Sequence, residues 1–303
     1  MLMSQGDDRE TRRSVEAFEA QRPRLLGVAY RILGSLADAE DVVQEAWLRW
    51  SPTNVAEVDS TEAFLTTVTS RLALDRLRRV SRQREVYPGS WLPEPISVDP
   101  GPEHAVEMAD SLSLALLVVL ETLSPLERAA FVLREVFGET YPEVAATLGR
   151  TEPAVRQLVH RARERVDAGH ARFQADRAAH GQVVRRFLDA CERSDRSELM
   201  AVLAPDVVIV SDGGGLAQAP RRPVNGSDKV ARLLLAFVQR APDGIEITLE
   251  LINGQLGLVG RVGGEPVTVM AVTVDAGQVQ ALHLIANPEK LTPLRIGGRV
   301  EMV

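Results

Sequence analysis

The stretch YPGSWLPEPISVDPGPEH, residues 87–104, holds five prolines and two glycines. Proline fixes φ and lacks the N–H that a helix or an inner strand needs, so no core element can be built here. The chain is therefore divided at this point by a linker that is stiff where its prolines fall. The textures on either side agree with that division. Residues from about 12 to 82 carry apolar positions at helical spacing, and the helical period returns from about 106 to 190. Beyond about residue 205 the pattern shortens to VVIV, IEITLELI, QLGLVGRV, PVTVMAVTV and VQALHLIA, separated by NGQ, VGG and DAGQ. Short apolar or alternating runs between turn residues predict antiparallel strands. With helices near 174–191 and 227–240, the last segment reads as α+β with a curved sheet.

Composition narrows the function classes. A chain of 303 residues is two domains' worth, or three small ones. No stretch approaches the roughly 20 apolar residues of a membrane span, and the start, MLMSQGDDRETRRS, is too polar for a signal peptide. The expectation is a cytoplasmic protein with no membrane partner. The single cysteine, Cys191, excludes an intrachain disulfide and a cysteine-based zinc site. A net charge of −7 argues against nucleic-acid binding through bulk charge, so any such binding must use local patches.

Three stretches carry such chemistry. In SLADAEDVVQEAWLRW, residues 35–50, Ser35 and the acids that follow mark a helix start, and Val43, Trp47 and Trp50 share one face. Asp41, Gln44 and Glu45 then lie off that face, on a side that is either solvated surface or a dock for a basic partner. In FLTTVTSRLALDRLRRVSRQRE, residues 64–85, Phe64, Leu65, Val68, Leu72 and Leu77 make a packed stripe. Arg71, Arg76, Arg78, Arg79, Arg82 and Arg84 outnumber Asp75 and Glu85, a local basic excess suited to phosphates. Thr67 and Ser70 could hydrogen-bond nucleotides, and Phe64 could stack on a base. In YPEVAATLGRTEPAVRQLVHRARERV, residues 141–166, two helical runs, 142–148 and 152–166, meet at Gly149-Arg150-Thr151. Gly149 permits the turn, Thr151 suits the cap of the next helix, and Ala145 allows a close crossing, which is the pattern of a helix-turn-helix. Its second helix presents Glu152, Ala154, Arg156, Gln157, His160 and Arg161, and Arg and Gln are the side chains that read guanine and adenine in the major groove. His160 has no second ligand at helical spacing, so neither metal nor cofactor is expected.

In this order and spacing the stretches resemble an RNA polymerase sigma factor of the extracytoplasmic-function (ECF) family, over roughly residues 12–170. DAEDVVQEAW resembles the polymerase-docking helix of sigma domain 2, FLTTVTSRLALDRLRR the element that melts and reads the −10 region, and the helix-turn-helix stretch sigma domain 4, which reads the −35 element. The resemblance makes Asp38, Asp41, Gln44 and Glu45 polymerase contacts. It makes Phe64, Thr67, Ser70, Arg71, Arg76, Arg78 and Arg79 −10 contacts, and Glu152, Ala154, Arg156, Gln157, His160 and Arg161 −35 contacts. The remainder resembles a SnoaL-like domain, an α+β cone. The combination is similar to the SigJ-type subgroup, in which WLPEP, DGGG and NPEKL recur; here these are Trp91, Leu92 and Pro93 with the two residues after them, Asp212, Gly213, Gly214 and Gly215, and Asn287, Pro288, Glu289, Lys290 and Leu291. The implied fold is multidomain: two all-α sigma domains, the second with the helix-turn-helix, followed by the SnoaL-like cone. Sigma domain 2 would span 10–85, the linker 86–105, sigma domain 4 106–172, the cone 174–292 and a tail 293–303.

The function this implies is binding of core RNA polymerase and promoter DNA and promoter-specific initiation. An intramolecular contact between the C-terminal domain and the sigma domains would modulate it in cis, in place of a separate anti-sigma protein. The alternative from the residues alone is a stand-alone helix-turn-helix regulator with a small-molecule-sensing domain, which leaves the acidic helix unexplained. A cone pocket is a natural site for an unknown small ligand. SnoaL-like relatives include cyclases and isomerases, and Asp206, Asp212, Glu250 and His283 are the titratable residues on or beside the strands. Their spacing does not make them converge, so no catalytic residues are assigned and the chain is expected not to be an enzyme. In VVIVSDGGG, residues 207–215, neither GK[ST] nor GxGxxG follows the strand, so a strand end and tight turn is expected, not a nucleotide cradle.

Overall fold

The computed structural model describes residues 3–53, 58–97, 113–170 and 177–295. The chain divides into two bodies, one from the stretch up to Gln83 with Glu121–Arg165, the other from Arg84–Leu120 with Val166 onward. The boundary expected at 105/106, the one near 173 and most of the tail lie outside the described residues.

The first body is helical. Helix α1, Met3–Leu33, ends where Gly34 takes φ 70° and its N–H returns to the Tyr30 carbonyl. Helix α2, Leu36–Trp50, starts at Ser35, whose hydroxyl accepts from the Asp38 N–H at 3.2 Å. It buries Val42, Val43, Ala46 and Trp50, and the Trp50 indole donates to the Ser14 carbonyl at 2.9 Å. Helix α3, Thr61–Arg84, buries Leu65, Leu72, Leu74 and Leu77.

After Glu121 come α5, Pro125–Phe131, which runs into a wider π turn over Val132–Val136, then α6, Tyr141–Leu148, and α7, Glu152–His170. Ser124 and Thr140 each form a reciprocal capping box with the glutamate three residues on, Glu127 and Glu143. Gly149 sits in the left-handed region at φ 60°, ψ 45°, and so turns the chain from α6 into α7. Buried Val144, Leu148, Val155 and Val159 lie on the helices flanking that turn.

The second body holds α4, Leu114–Leu120, then α8, Arg177–Glu192, α9, Arg196–Val202, and α10, Ser227–Gln239. Its strands are β1 Leu203–Asp212, β2 Val224–Asn225, β3 Ile245–Ile252, β4 Gln255–Val262, β5 Glu265–Asp275 and β6 Gln278–Ile285. They form one sheet in the order β2-β1-β6-β5-β4-β3. The three hairpins from β3 to β6 use two-residue turns, Asn253-Gly254, Gly263-Gly264 and Ala276-Gly277, all with positive φ. Such turns match the right-handed strand twist. Val184, Phe187, Val207, Ile209, Val230, Leu234, Val272 and Leu282 make the core between α8–α10 and one face of the sheet. Helix α4 lies against β5. One expectation fails here: β1 pairs with β6 in parallel, so the sheet is mixed. Runs of strand and turn report only local hairpins, and β1 meets β6 after a crossover through α10 that no local pattern encodes.

Candidate nucleic-acid interface

On α2, Asp41, Gln44 and Glu45 are exposed along one side, with Leu48 beside them at 64% exposure. Glu45 pairs with Arg49 at 2.8 Å, a contact within the surface. Asp38 is different. It is half-buried, and its carboxylate accepts from Arg76 Nε at 2.9 Å and Nη2 at 2.5 Å. A residue expected to meet polymerase and one expected to meet DNA thus hold each other, and Arg76's own acidity weakens through that hydrogen bond despite partial desolvation.

The candidates on α3 divide by side. Arg78 and Arg79 are exposed and hydrogen-bond to Asp75, the first at 3.0 Å through the carboxylate and the second at 3.3 Å through the backbone carbonyl. Phe64 packs against Trp50 with the rings tilted by 50° and their centres 5.6 Å apart, and it is half-buried. Thr67 and Arg71 face α6. The Thr67 hydroxyl lies 3.1 Å from that of Thr147, and Arg71 donates at 2.8 Å to both the Ala146 and Thr147 carbonyls, which are orphan acceptors at a helix C-terminus. Ser70 departs from the expectation: it is fully buried, its hydroxyl has no hydrogen-bond partner among the described residues, and it presents nothing to a nucleotide in this conformation. It shares a helical stripe with Thr66, Ala73 and Leu77, all buried.

On α7, Arg156, Gln157 and His160 are exposed and in phase, with Glu152 and Ala154 half-buried at the helix start. Arg156 is paired with Glu152 and also lies over the Tyr141 ring, 4.3 Å from its centre. Arg161 points to the opposite task. With Arg165 it binds Glu127, at 3.0 and 2.9 Å, and Glu127 is nearly buried while also serving the Ser124 cap. Those hydrogen bonds hold the Glu127 carboxyl below its usual range against the opposing effect of burial. Both arginines remain half-exposed and can be rehydrated, so Glu127→Ala should cost the cap and part of the ion pairs, about 2 kcal/mol, and not the larger loss of a wholly buried pair. Chemical denaturation of the full chain checks this: Glu127→Gln should retain part of the loss, and an unchanged transition midpoint in Glu127→Ala would refute the assignment.

The second body gathers the three motifs WLPEP, DGGG and NPEKL into one clamp. Asp212, at the end of β1, is fully buried. Its Oδ1 accepts from the Tyr87 hydroxyl at 2.7 Å and the Gly214 N–H at 3.0 Å, and its Oδ2 from the Leu92 N–H at 2.8 Å and Lys290 Nζ at 2.6 Å. Lys290 also donates to the Leu92 carbonyl, so one ion pair holds both polar groups of a single linker peptide residue. The Lys290 ammonium lies 3.9 Å from the centre of the Trp91 ring, with Arg84 stacked on the same ring, and the Asn287 amide donates to Tyr87 at 2.9 Å. Burial lowers the Lys290 pKa to about 8 against the opposing pull of Asp212, and burial beside Asp212 raises that of Tyr87.

The glycines make the clamp fit. A Cβ at Gly214, already at φ 61°, would strike the Asn287 amide, and one at Gly215 would strike Pro88. Four residues beyond Leu92 a second anchor repeats the arrangement. The Ile96 N–H reaches Asn253 Oδ1 at 3.2 Å, the Ile96 carbonyl accepts from the Asn253 N–H at 2.8 Å, and Ser97 bridges Ile252. Leu92, Pro93, Pro95 and Ile96 are buried between the anchors, and the prolines omit N–H groups that would need partners there. Tyr87 and Asn253 were not singled out by sequence; an Asn-Gly pair signals a turn, not what its side chain will hold.

The titratable residues on the sheet have different surroundings, and Asp212 and His283 lie two register positions apart on the neighbouring strands β1 and β6. Asp206 is exposed, Asp212 is spent on the linker, His283 is buried on β6, and Glu250 sits on β3 beside Arg261 and Thr248 with three strands between it and β1. Among the described residues no group of three or more His, Cys, Asp or Glu could hold a metal, and no helix is long and apolar enough to cross a membrane.

The first body holds a three-helix unit and a helix-turn-helix, and both helical stretches match the class of sigma-70-type factors. Residues 17–83 match Sigma-70 region 2 and residues 113–166 match Sigma-70, region 4. The chain is 44% identical over 291 residues to the ECF RNA polymerase sigma factor SigJ of Mycobacterium tuberculosis, covering 92% of this chain and 93% of that protein. It is 33% identical over 287 residues to the probable ECF RNA polymerase sigma factor SigI of the same organism, covering 93% and 97%. The crystal structure of M. tuberculosis SigJ matches with a TM-score of 0.75 at 41% identity, over 92% of this chain and 98% of that one. The chain belongs to the extracytoplasmic-function family of RNA polymerase sigma factors, with a C-terminal α+β extension, and as a member it is a promoter-specificity factor.

Proposed function

We propose that this sigma factor docks on core RNA polymerase through the α2 row Asp41, Gln44 and Glu45, with Asp38 acting from within by fixing Arg76. Exposed α3 side chains, Arg78 and Arg79 foremost, engage the −10 DNA, and Phe64, Thr67 and Arg71 join them once α6 releases the last two. The α7 face of Glu152, Ala154, Arg156, Gln157 and His160 reads the −35 element. Arg161 supports that face through Glu127. The second body tunes initiation in cis by holding the linker between the two sigma regions at Leu92 and Ile96.

The observation that carries the reading is the exposed Arg156-Gln157-His160 face set by the left-handed turn at Gly149, in a body that also presents an acidic helix face. The acidic face separates a sigma factor from a regulator that binds DNA unaided. The double charge reversal Asp41→Lys, Glu45→Lys should lower promoter-dependent transcription with core polymerase by roughly tenfold or more, because like charges then face a basic partner. Both residues are exposed, so thermal stability should hold. If the wild-type protein shifts duplex operator but never starts transcription with core polymerase, the sigma reading fails; if the reversal leaves initiation intact, only the docking row fails.

A further inference from the structure

Tyr141 opens α6, the first helix of the helix-turn-helix, and its half-buried ring is shared by two guanidinium groups. Arg156 lies 4.3 Å from the ring centre and Arg134 lies 4.7 Å from it. Arg134 is itself fixed, since its Nη1 donates to the Glu139 carbonyl at 2.8 Å. Arg156 is held on a second side by Glu152, which takes Nη2. Among the described residues Nη2 is the only Arg156 nitrogen with a protein acceptor, so Nε and Nη1 keep donors to spend elsewhere. The side chain is exposed, yet its plane is set by an aromatic face and a carboxylate.

We propose that Tyr141 is a positioning residue for −35 discrimination, one that orients the Arg156 guanidinium for a base edge without touching DNA itself. The inference rests on the reading of α7 as the −35 helix. A planar guanidinium reads guanine by two parallel hydrogen bonds to O6 and N7, which requires its plane to match that of the base. An unsupported arginine must lose rotamer freedom to reach that pose, and Arg156 stacked on Tyr141 has lost much of it before DNA arrives. Phosphate contact makes no such demand, because a charge serves in many orientations. Removing the ring should therefore weaken discrimination between bases while leaving sequence-independent affinity unchanged.

The test uses the full chain assembled with core polymerase, on promoters carrying each base at each −35 position, with Tyr141→Leu, Tyr141→Phe and Arg156→Ala compared. Arg156→Ala sets the scale: roughly five- to hundredfold less discrimination at the position it reads. Tyr141→Leu should lose a several-fold part of that discrimination at the same position only. Its affinity for non-specific duplex and the salt slope of that affinity should match the wild type, because no charge has changed. Tyr141→Phe, which keeps the ring face, should restore discrimination. Equal weakening on all sequences, or failure of Phe to rescue, would show that Tyr141 merely supports the fold and would overturn the proposal. Full discrimination in Tyr141→Leu alongside relaxed Arg156→Ala would overturn it as well. If Arg156→Ala itself changes nothing, the −35 role of Arg156 falls first and the role of Tyr141 with it.

Discussion

Asp212→Ala should release the linker from the second body and lower that body's stability by about 3–5 kcal/mol, the range for removing one member of a buried ion pair. The carboxylate is wholly buried and accepts from Tyr87, Leu92, Gly214 and Lys290. Its loss strands a buried ammonium and three further donors. The ammonium can shed its proton: burial has already brought the Lys290 pKa to about 8, and without Asp212 to oppose that effect it falls further. This escape keeps the loss within the range, and it makes the double variant informative. Asp212→Ala with Lys290→Met removes both charges and should regain part of the lost stability, since two absent partners cost less than one stranded partner. For a body of this size the single variant should melt about 6–20 °C lower. Protease should also cut between Tyr87 and Ser97, where the wild type is held at both Leu92 and Ile96. An unchanged melting temperature with a protected linker would sink the clamp. Changed stability with unaltered transcription would leave the clamp in place and remove regulation in cis.

What sequence shows and hides in this molecule follows the range of the interactions. The cap at Ser35 and the turn at Gly149 act within four residues, and each was legible. So were the two-residue hairpin turns, because NGQ, VGG and DAGQ state a local backbone demand. The parallel partnership of β1 and β6 was not legible, since it depends on where a crossover returns. The burial of Ser70 was overlooked for a different reason. Its hydroxyl suggested a nucleotide contact, although its position in phase with Ala73 and Leu77 already assigned it to the buried stripe. The DGGG segment, which invites an anion, instead receives a peptide group and a tyrosine. Its glycines remove Cβ atoms that Asn287 and Pro88 would otherwise meet, and only the fold supplies those neighbours.

Acid should destabilise the second body through His283, and replacing that residue with leucine should flatten the response. His283 lies on β6 between Val210 of β1 and Ala271 of β5, buried, and its Nδ1 has no hydrogen-bond partner among the described residues. Burial lowers its pKa from 6.5 to about 4. In the unfolded chain the imidazole takes up a proton as pH drops below 6.5, whereas in the folded protein it does not until about 4. The unfolded state therefore binds more protons across that window, and stability falls as pH falls, by about 1.4 kcal/mol per unit and about 3 kcal/mol in all. His180, on α8, moves the same way, lowered first by burial and partly restored by its bond to the Val272 carbonyl, so the wild-type curve carries both. The difference between wild type and His283→Leu isolates one of them. At pH 7 the variant should be as stable as the wild type or more so, because a buried ring nitrogen without a partner gives way to an apolar side chain. Between pH 6.5 and 4.5 the two denaturation curves should diverge steadily, the wild type losing more. Curves that stay parallel over that range would mean that His283 is solvated and titrates normally.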